Sequence, residues 1–383
     1  MNSVGGLIAE SDFSKQKTRL PLRQVPLLLL PRFLSGFRLG DWCPLLREHR
    51  FSIDPIFWPR AVLATLGAAV TSILARLEPK VTPESVDAEL VERPVFILGL
   101  PRSGTTHLFE LLSQSPDLCF PTRFDAFNPH TFLLLRRMGL FALLSKLPKF
   151  KRAMDSLRVG WDSPEEDIVA LAILASKGER LSRIFPRDAM LAKASHGNGA
   201  YERFQSVDLI HSLRAFLLKL AHLHGKQALL KSPGHMGRVK EILEVFPRAR
   251  FVTIFRNPLH QTASLRAIRE SGNPFWCALQ WPPHIHSPIL QNQGLLLQLY
   301  FEARELIPAP NLFETTFEEL VADRSETIAR ICEKFSLKPP ANFEALEAKA
   351  RNARPPGLPP DSWLPLIQKH YRPLFDARLY PRP

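Results

Sequence analysis

The chain has 383 residues, 45% hydrophobic and 23% charged, a composition that excludes a disordered chain and allows one large α/β domain with additions, or two domains. Fifty Lys and Arg against 37 Asp and Glu give a formal charge of +13, which fits anionic partners such as nucleotides, acidic polymers or a membrane surface, and equally fits a generally basic solvated exterior. Cys43, Cys119, Cys277 and Cys332 show no paired spacing, so neither a zinc site nor a disulfide framework is indicated, and a cytoplasmic location is expected.

Residues 1–20 are polar and mixed in charge, which predicts a loosely ordered tail. Glu10, Asp12 and several Lys and Arg precede the leucine run at 27–30, so no signal peptide is read there. Residues 21–90 are expected to form an N-terminal helical extension. Pro26 and Pro31 bracket a four-leucine run, which argues against a long helix across it. Two readings of this apolar, basic segment (21–38) stand side by side: packing against the main domain, which is favoured, and peripheral contact with a membrane. Residues 62–77 are apolar but shorter than the roughly 20 needed to span a bilayer, and Thr and Ser interrupt them, which predicts a packed helix.

The main domain, 91–383, opens with Val95-Phe96-Ile97-Leu98, a buried strand by composition. Gly99, Pro101, Ser103 and Gly104 break it before Leu108, Leu111 and Leu112 set a helical period. A strand, a tight loop and a helix start form an anion cradle, because loop N–H groups and the helix dipole point at the same spot. Gly99 to Gly104 followed by Thr105-Thr106 has the spacing of a Walker P-loop, with Thr105 where the lysine belongs. A second extended piece is expected at 116–121, then a leucine-rich basic helix over 131–152. Ser163, Pro164 and Glu166 have the spacing of an N-cap, first turn and capping box ahead of the apolar run from Ile168. Residues 177–204 read as a loop able to act as a lid.

Further on, a helix over 208–224 leads to a strand at 228–231, a helix at 235–246, a strand at 250–255, a helix from Pro258 through Ser264, a short strand at 311–314 and a helix at 317–320. Strands separated by helices imply parallel crossovers. The fold class is therefore α/β: a three-layer sandwich around a mostly parallel sheet, P-loop NTPase-like, with the helical extension added.

Ligands of such sheets lie at the carboxyl ends of the strands, and three predicted ends carry anion-holding residues: Arg102 to Thr106, Lys231-Ser232, and Arg256 with Ser264. With these residues the chain resembles the P-loop sulfotransferases that use 3′-phosphoadenosine 5′-phosphosulfate (PAPS), and more closely their bacterial-type branch, whose loop reads PRSGTT. The similarity runs from about residue 32 to the C-terminus and includes WDSPEEDIVAL, LLKSPGH and TTFEELVAD. It implies that Arg102, Ser103, Gly104, Thr105 and Thr106 cradle the 5′-phosphosulfate, that Arg256 and Ser264 hold the 3′-phosphate, and that no metal is required. Residues 316–320 would border the adenine. Arg102 and Lys231 are the cations expected to stabilise the transferring group, since sulfuryl transfer, like phosphoryl transfer, depends on positioning and charge.

The acceptor's base stays open among Glu166, Asp125, His235 and His130. Glu166 reads equally as a capping residue, and His235 reads more readily as a helix cap or packed ring. Cytosolic relatives place a His two residues after the lysine, where this chain has Pro233. The acceptor, a hydroxyl or amine on a small molecule, saccharide or lipid, is not readable, and nucleic acid is not expected. Two other readings compete: a P-loop kinase or NTPase, and a non-catalytic protein binding membrane surfaces or nucleic acid.

Overall fold

The computed structural model describes residues 34, 36–151, 158–175, 184–187, 207–270, 279–280, 289–341 and 357–383. The expected tail (1–20), most of segment 21–38 and most of the expected lid (177–204) lie outside the described residues. Among the described residues the strands are β1 (Val95–Leu98), β2 (Leu118–Cys119), β3 (Phe150–Lys151), β4 (Arg158–Val159), β5 (Gln227–Lys231), β6 (Arg250–Phe255) and β7 (Leu312–Thr316). The helices are α1 (Leu39–Glu48), α2 (Trp58–Leu77), α3 (Ala88–Glu92), α4 (Thr105–Leu112), α5 (Arg123–Phe127), α6 (Phe132–Arg137), α7 (Leu140–Ser145), α8 (Ile168–Ala175), α9 (Val207–His224), α10 (Val239–Val245), α11 (Pro258–Glu270), α12 (Ile289–Arg304), α13 (Phe317–Ala322), α14 (Arg324–Phe335), α15 (Leu364–His370) and α16 (Arg372–Asp376).

Five strands form one parallel sheet in the order β2-β5-β1-β6-β7. Strand alternation sends side chains to both faces. Phe96, Leu98, Leu230, Phe251 and Phe255 join one apolar core with α9, α10 and α12. Val95, Ile97, Leu229, Val252 and Ile254 join a second with α4 and α14. This is the expected three-layer sandwich. The register sets Ile97 beside both Lys231 and Val252, so the carboxyl ends of β1, β5 and β6 open side by side. The sequence reading missed α15 and α16, which close the first core with Trp363, Ile367, Tyr371 and Leu374.

Three local expectations are corrected. The single helix over 131–152 is two, α6 and α7, separated at Gly139, whose φ of +79° suits glycine, and the chain then enters the antiparallel pair β3–β4. The helix placed at 235–246 begins as a tighter turn over Pro233–Gly237, and α10 follows from Val239. The apolar helix is also longer than expected: the helical run Pro55–Leu77 has 23 residues, enough by length and composition to cross a membrane. One side of it is nonetheless packed, with Ala61, Ala64 and Ala68 in a separate core shared with Phe37 and Trp42.

His130 lies where this extension meets the main domain, 3.7 Å from Asp41 of α1. Burial, aided by the nearby Arg38 and Lys219 cations, pushes its pKa from the ordinary 6.5 down to about 4. The unfolded chain therefore takes up a proton before the folded one does as the pH falls. The stability that neutral His130 contributes is complete above about pH 6.5 and is lost between there and about pH 4. Thermal unfolding followed over that window should show a midpoint falling more steeply for wild type than for His130→Gln. Parallel curves would refute this assignment.

Candidate active site

The loop after β1 is shaped by close packing. A side chain at Gly99 would approach Ser103 Oγ to 2.6 Å and the Ile254 carbonyl to 2.7 Å. Gly104 has φ +101° and lies against the Phe317 ring, leaving no room for a Cβ. Arg102 itself adopts φ +73°, a left-handed conformation that a non-glycine residue holds only when its surroundings fix it. Gly104 then caps α4, and the first N–H groups of that helix have no partner within it. Anion-binding geometry thus follows from the backbone alone.

The three strand ends converge on this loop. Lys231 Nζ, on a side chain only 5% exposed, donates to Glu166 Oε1 at 2.8 Å and to Thr106 Oγ1 at 3.3 Å. Arg102 Nε donates to Ser264 Oγ at 2.9 Å, and an Arg256 guanidinium N–H donates to the Arg102 carbonyl at 3.1 Å. Arg256 lies over the Phe317 ring, 4.3 Å from its centre, and burial lowers its pKa. Ser103 Oγ, Ser232 Oγ and Arg256 Nε are buried with no hydrogen-bond partner among the described residues, a cost that a phosphate or sulfate oxygen would relieve. A small open cleft adjoins Lys231, lined also by Thr106, Phe109, Glu110, Arg158 and Glu166. Among the described residues no group of three or more His, Cys, Asp or Glu side chains could hold a metal ion.

A family model described as the sulfotransferase family matches residues 94–340. The chain belongs to that family. It is 26% identical over 321 residues to the omega-hydroxy-beta-dihydromenaquinone-9 sulfotransferase Stf3 of Mycobacterium bovis and of Mycobacterium tuberculosis, covering 79% of this chain and 78% of theirs. Two solved structures share its fold. Sulfotransferase STF9 from Mycobacterium avium superposes with a TM-score of 0.58 at 18% identity, covering 95% of this chain and 98% of that one. STF1 from Mycobacterium tuberculosis H37Rv gives 0.55 at 16% identity, covering 93% and 99%. The protein is a sulfotransferase, using a sulfuryl donor and an acceptor.

Of the sulfotransferase's four candidate bases, one faces the cleft. Glu166 lines it, but not as a capping residue: Ser163 Oγ accepts from the Gly160 N–H, Glu165 N donates to the Pro121 carbonyl, and α8 begins only at Ile168. The capping box expected at Ser163–Glu166 is absent because tertiary pairing draws 163–165 across 121–123. His235 is fully buried, its Nε2 2.5 Å from Asp167 Oδ2 and its ring edge-on to Phe96, so it is a packed ring with no route to an acceptor. Asp125 is fully buried, bonded by Arg136 at 2.8 and 2.9 Å and by Thr122 in a capping box of its own. His130 belongs to the interface with the N-terminal extension.

Asp125→Asn should therefore destabilise the fold by about 1–2 kcal/mol, because Arg136 loses its countercharge yet keeps some solvent and its contact with Phe141. Turnover per folded molecule should be unchanged. Loss of turnover at full stability would restore Asp125 as a base candidate.

Sequence reasoning missed Gln261, which donates to the Pro101 carbonyl at 2.8 Å and so ties α11 to the loop. Its position one turn before Ser264 on the same helical face was the available signal. Arg158, at the cleft edge on a two-residue strand, offered none.

Proposed function

We propose that the sulfotransferase binds PAPS with its 5′-phosphosulfate in the loop from Arg102 to Thr106 and its 3′-phosphate against Arg256 and Ser264, and transfers the sulfuryl group to a hydroxyl of a lipid or similarly amphipathic acceptor. The observation carrying the donor reading is the pair of hydrogen bonds from Arg102 to Ser264 and from Arg256 to the Arg102 carbonyl. They bring two cations and a hydroxyl together at the rim of an anion cradle, as a donor with two separated anionic groups requires. Phe317, stacked on Arg256 and pressed against Gly104, offers an apolar face beside that pair for the base.

At the other end of the loop, Lys231 is positioned to stabilise charge on the transferring group and on the departing phosphate oxygen. Glu166 accepts the proton of the acceptor hydroxyl as its oxygen bonds to sulfur and the sulfur–oxygen bond to phosphate breaks, leaving both electrons on the phosphate. Thr106 and Glu166 hold the ammonium until the donor's negative charge competes for it.

The acceptor reading rests on the menaquinone-derived lipid named for Stf3, together with Phe109 and Val159 at the cleft. Donor carrying radiolabelled sulfur, incubated with lipid alcohols, phenols and saccharides, tests it. Label should appear in the lipid alcohol; label only in soluble saccharides would overturn this choice of acceptor and leave the donor site standing.

A further inference from the structure

Helix α2 is built inside out. Its small residues Ala61, Ala64, Ala68 and Thr71 recur at helical spacing on the buried face. Val62, Leu66, Val70, Ile73 and Leu77 recur at the same spacing on the outer face, where each is 53–65% exposed. A helix on a water-facing domain ordinarily does the reverse, and aliphatic stripes of this extent mark contact surfaces. The inner face is committed to the protein: the Trp42 indole donates to Thr65 and the Leu39 N–H donates to Ser72. Only the outer stripe is available to a partner.

A second apolar and basic segment starts next to the end of α2. Glu78, just past the end of α2, accepts from the backbone N–H groups of Leu133 and Leu134 in α6. From there Arg137, Met138, Leu143, Lys146 and Leu147 are exposed, a mixture of cations and apolar side chains. Neither 55–77 nor 131–154 contains an acidic residue. The chain continues into β3, whose partner β4 carries Arg158 and Val159 to the cleft.

We propose that the outer stripe of α2 and the exposed side of α6 and α7 seat the enzyme on an anionic lipid bilayer, with the cleft opening near the lipid boundary. Charge selects this occupant. A second copy of the chain would set Arg137 and Lys146 against cations with no acid in either segment, whereas phosphate headgroups supply the missing countercharge while the aliphatics enter the acyl boundary. The proposal is independent of whether the acceptor is a lipid.

Full-length protein floated with vesicles of phosphatidylcholine alone, and of phosphatidylcholine mixed with phosphatidylglycerol, tests it. Wild type should float with the mixed vesicles, less so as salt rises, and should largely ignore the neutral ones. Leu66→Gln/Val70→Gln/Ile73→Gln and, separately, Arg137→Glu/Lys146→Glu should each reduce binding by roughly tenfold. Both variants should keep wild-type affinity for 3′,5′-adenosine bisphosphate, which shows that they are folded. Wild type that stays with the soluble fraction, variants that float equally well, or a solution dimer dissolved by the triple substitution without vesicle binding would each overturn the proposal. So would resistance of the bound protein to alkaline extraction, which would put α2 across the bilayer.

Discussion

Lys231→Ala should lower kcat by about 10²–10³-fold while leaving affinity for 3′,5′-adenosine bisphosphate within a few fold, because the ammonium acts on charge that develops only during transfer. The side chain is nearly buried at the end of a central strand and already shared between Glu166 and Thr106, so it is preorganised before any donor binds. Glu166→Gln separates two roles for its partner. If the carboxylate only orients Lys231, the amide keeps a hydrogen bond and turnover falls modestly. As the base that takes the hydroxyl proton, its loss should cost about 10²–10⁴-fold in kcat. Single-turnover rates with radiolabelled donor decide between them. A Lys231→Ala enzyme with unchanged turnover would remove Lys231 from the transfer step altogether.

The parts legible in the sequence were those fixed within a few residues. An apolar run followed by Gly99, Gly104 and a helical period specifies strand, cradle and helix wherever the segment lands. Arg256 after a strand and Ser264 on the following helix are likewise local features, and only the resemblance to PAPS-dependent sulfotransferases gives the pair a role. Pairings between distant segments were not legible. Arg102 and Ser264 stand 162 positions apart, and nothing near either residue encodes the hydrogen bond between them.

The errors have the same origin. Ser163 and Glu166 satisfy the capping-box spacing, yet Gly160 takes the serine hydroxyl and the strand-like pairing with 121–123 keeps the backbone extended. The same displacement turns Glu166 toward Lys231. For His235 the sequence favours a packed ring over a base, and the packed ring is what the structure shows, although its partner Asp167 is one the sequence gives no reason to place beside it.

Arg256→Ala should weaken binding of 3′,5′-adenosine bisphosphate by about 10–100-fold, the range for losing a charge-assisted hydrogen bond in a partly desolvated site. Ser264→Ala, which removes a neutral hydroxyl that Arg102 already engages, should cost roughly threefold to tenfold. The two arginines are not independent, because Arg256 donates to the carbonyl of Arg102 and that residue is held at positive φ. Removing Arg256 frees the loop as well as deleting a cation. Part of the loss expected from Arg102→Ala is then already incurred, and the double variant should bind more tightly than the product of the two single effects predicts. Titration calorimetry on the four proteins measures this coupling directly. Strict additivity would show that the loop and the β6 end bind the nucleotide as separate sites, while a bisphosphate affinity untouched by either arginine would place the nucleotide elsewhere on the protein.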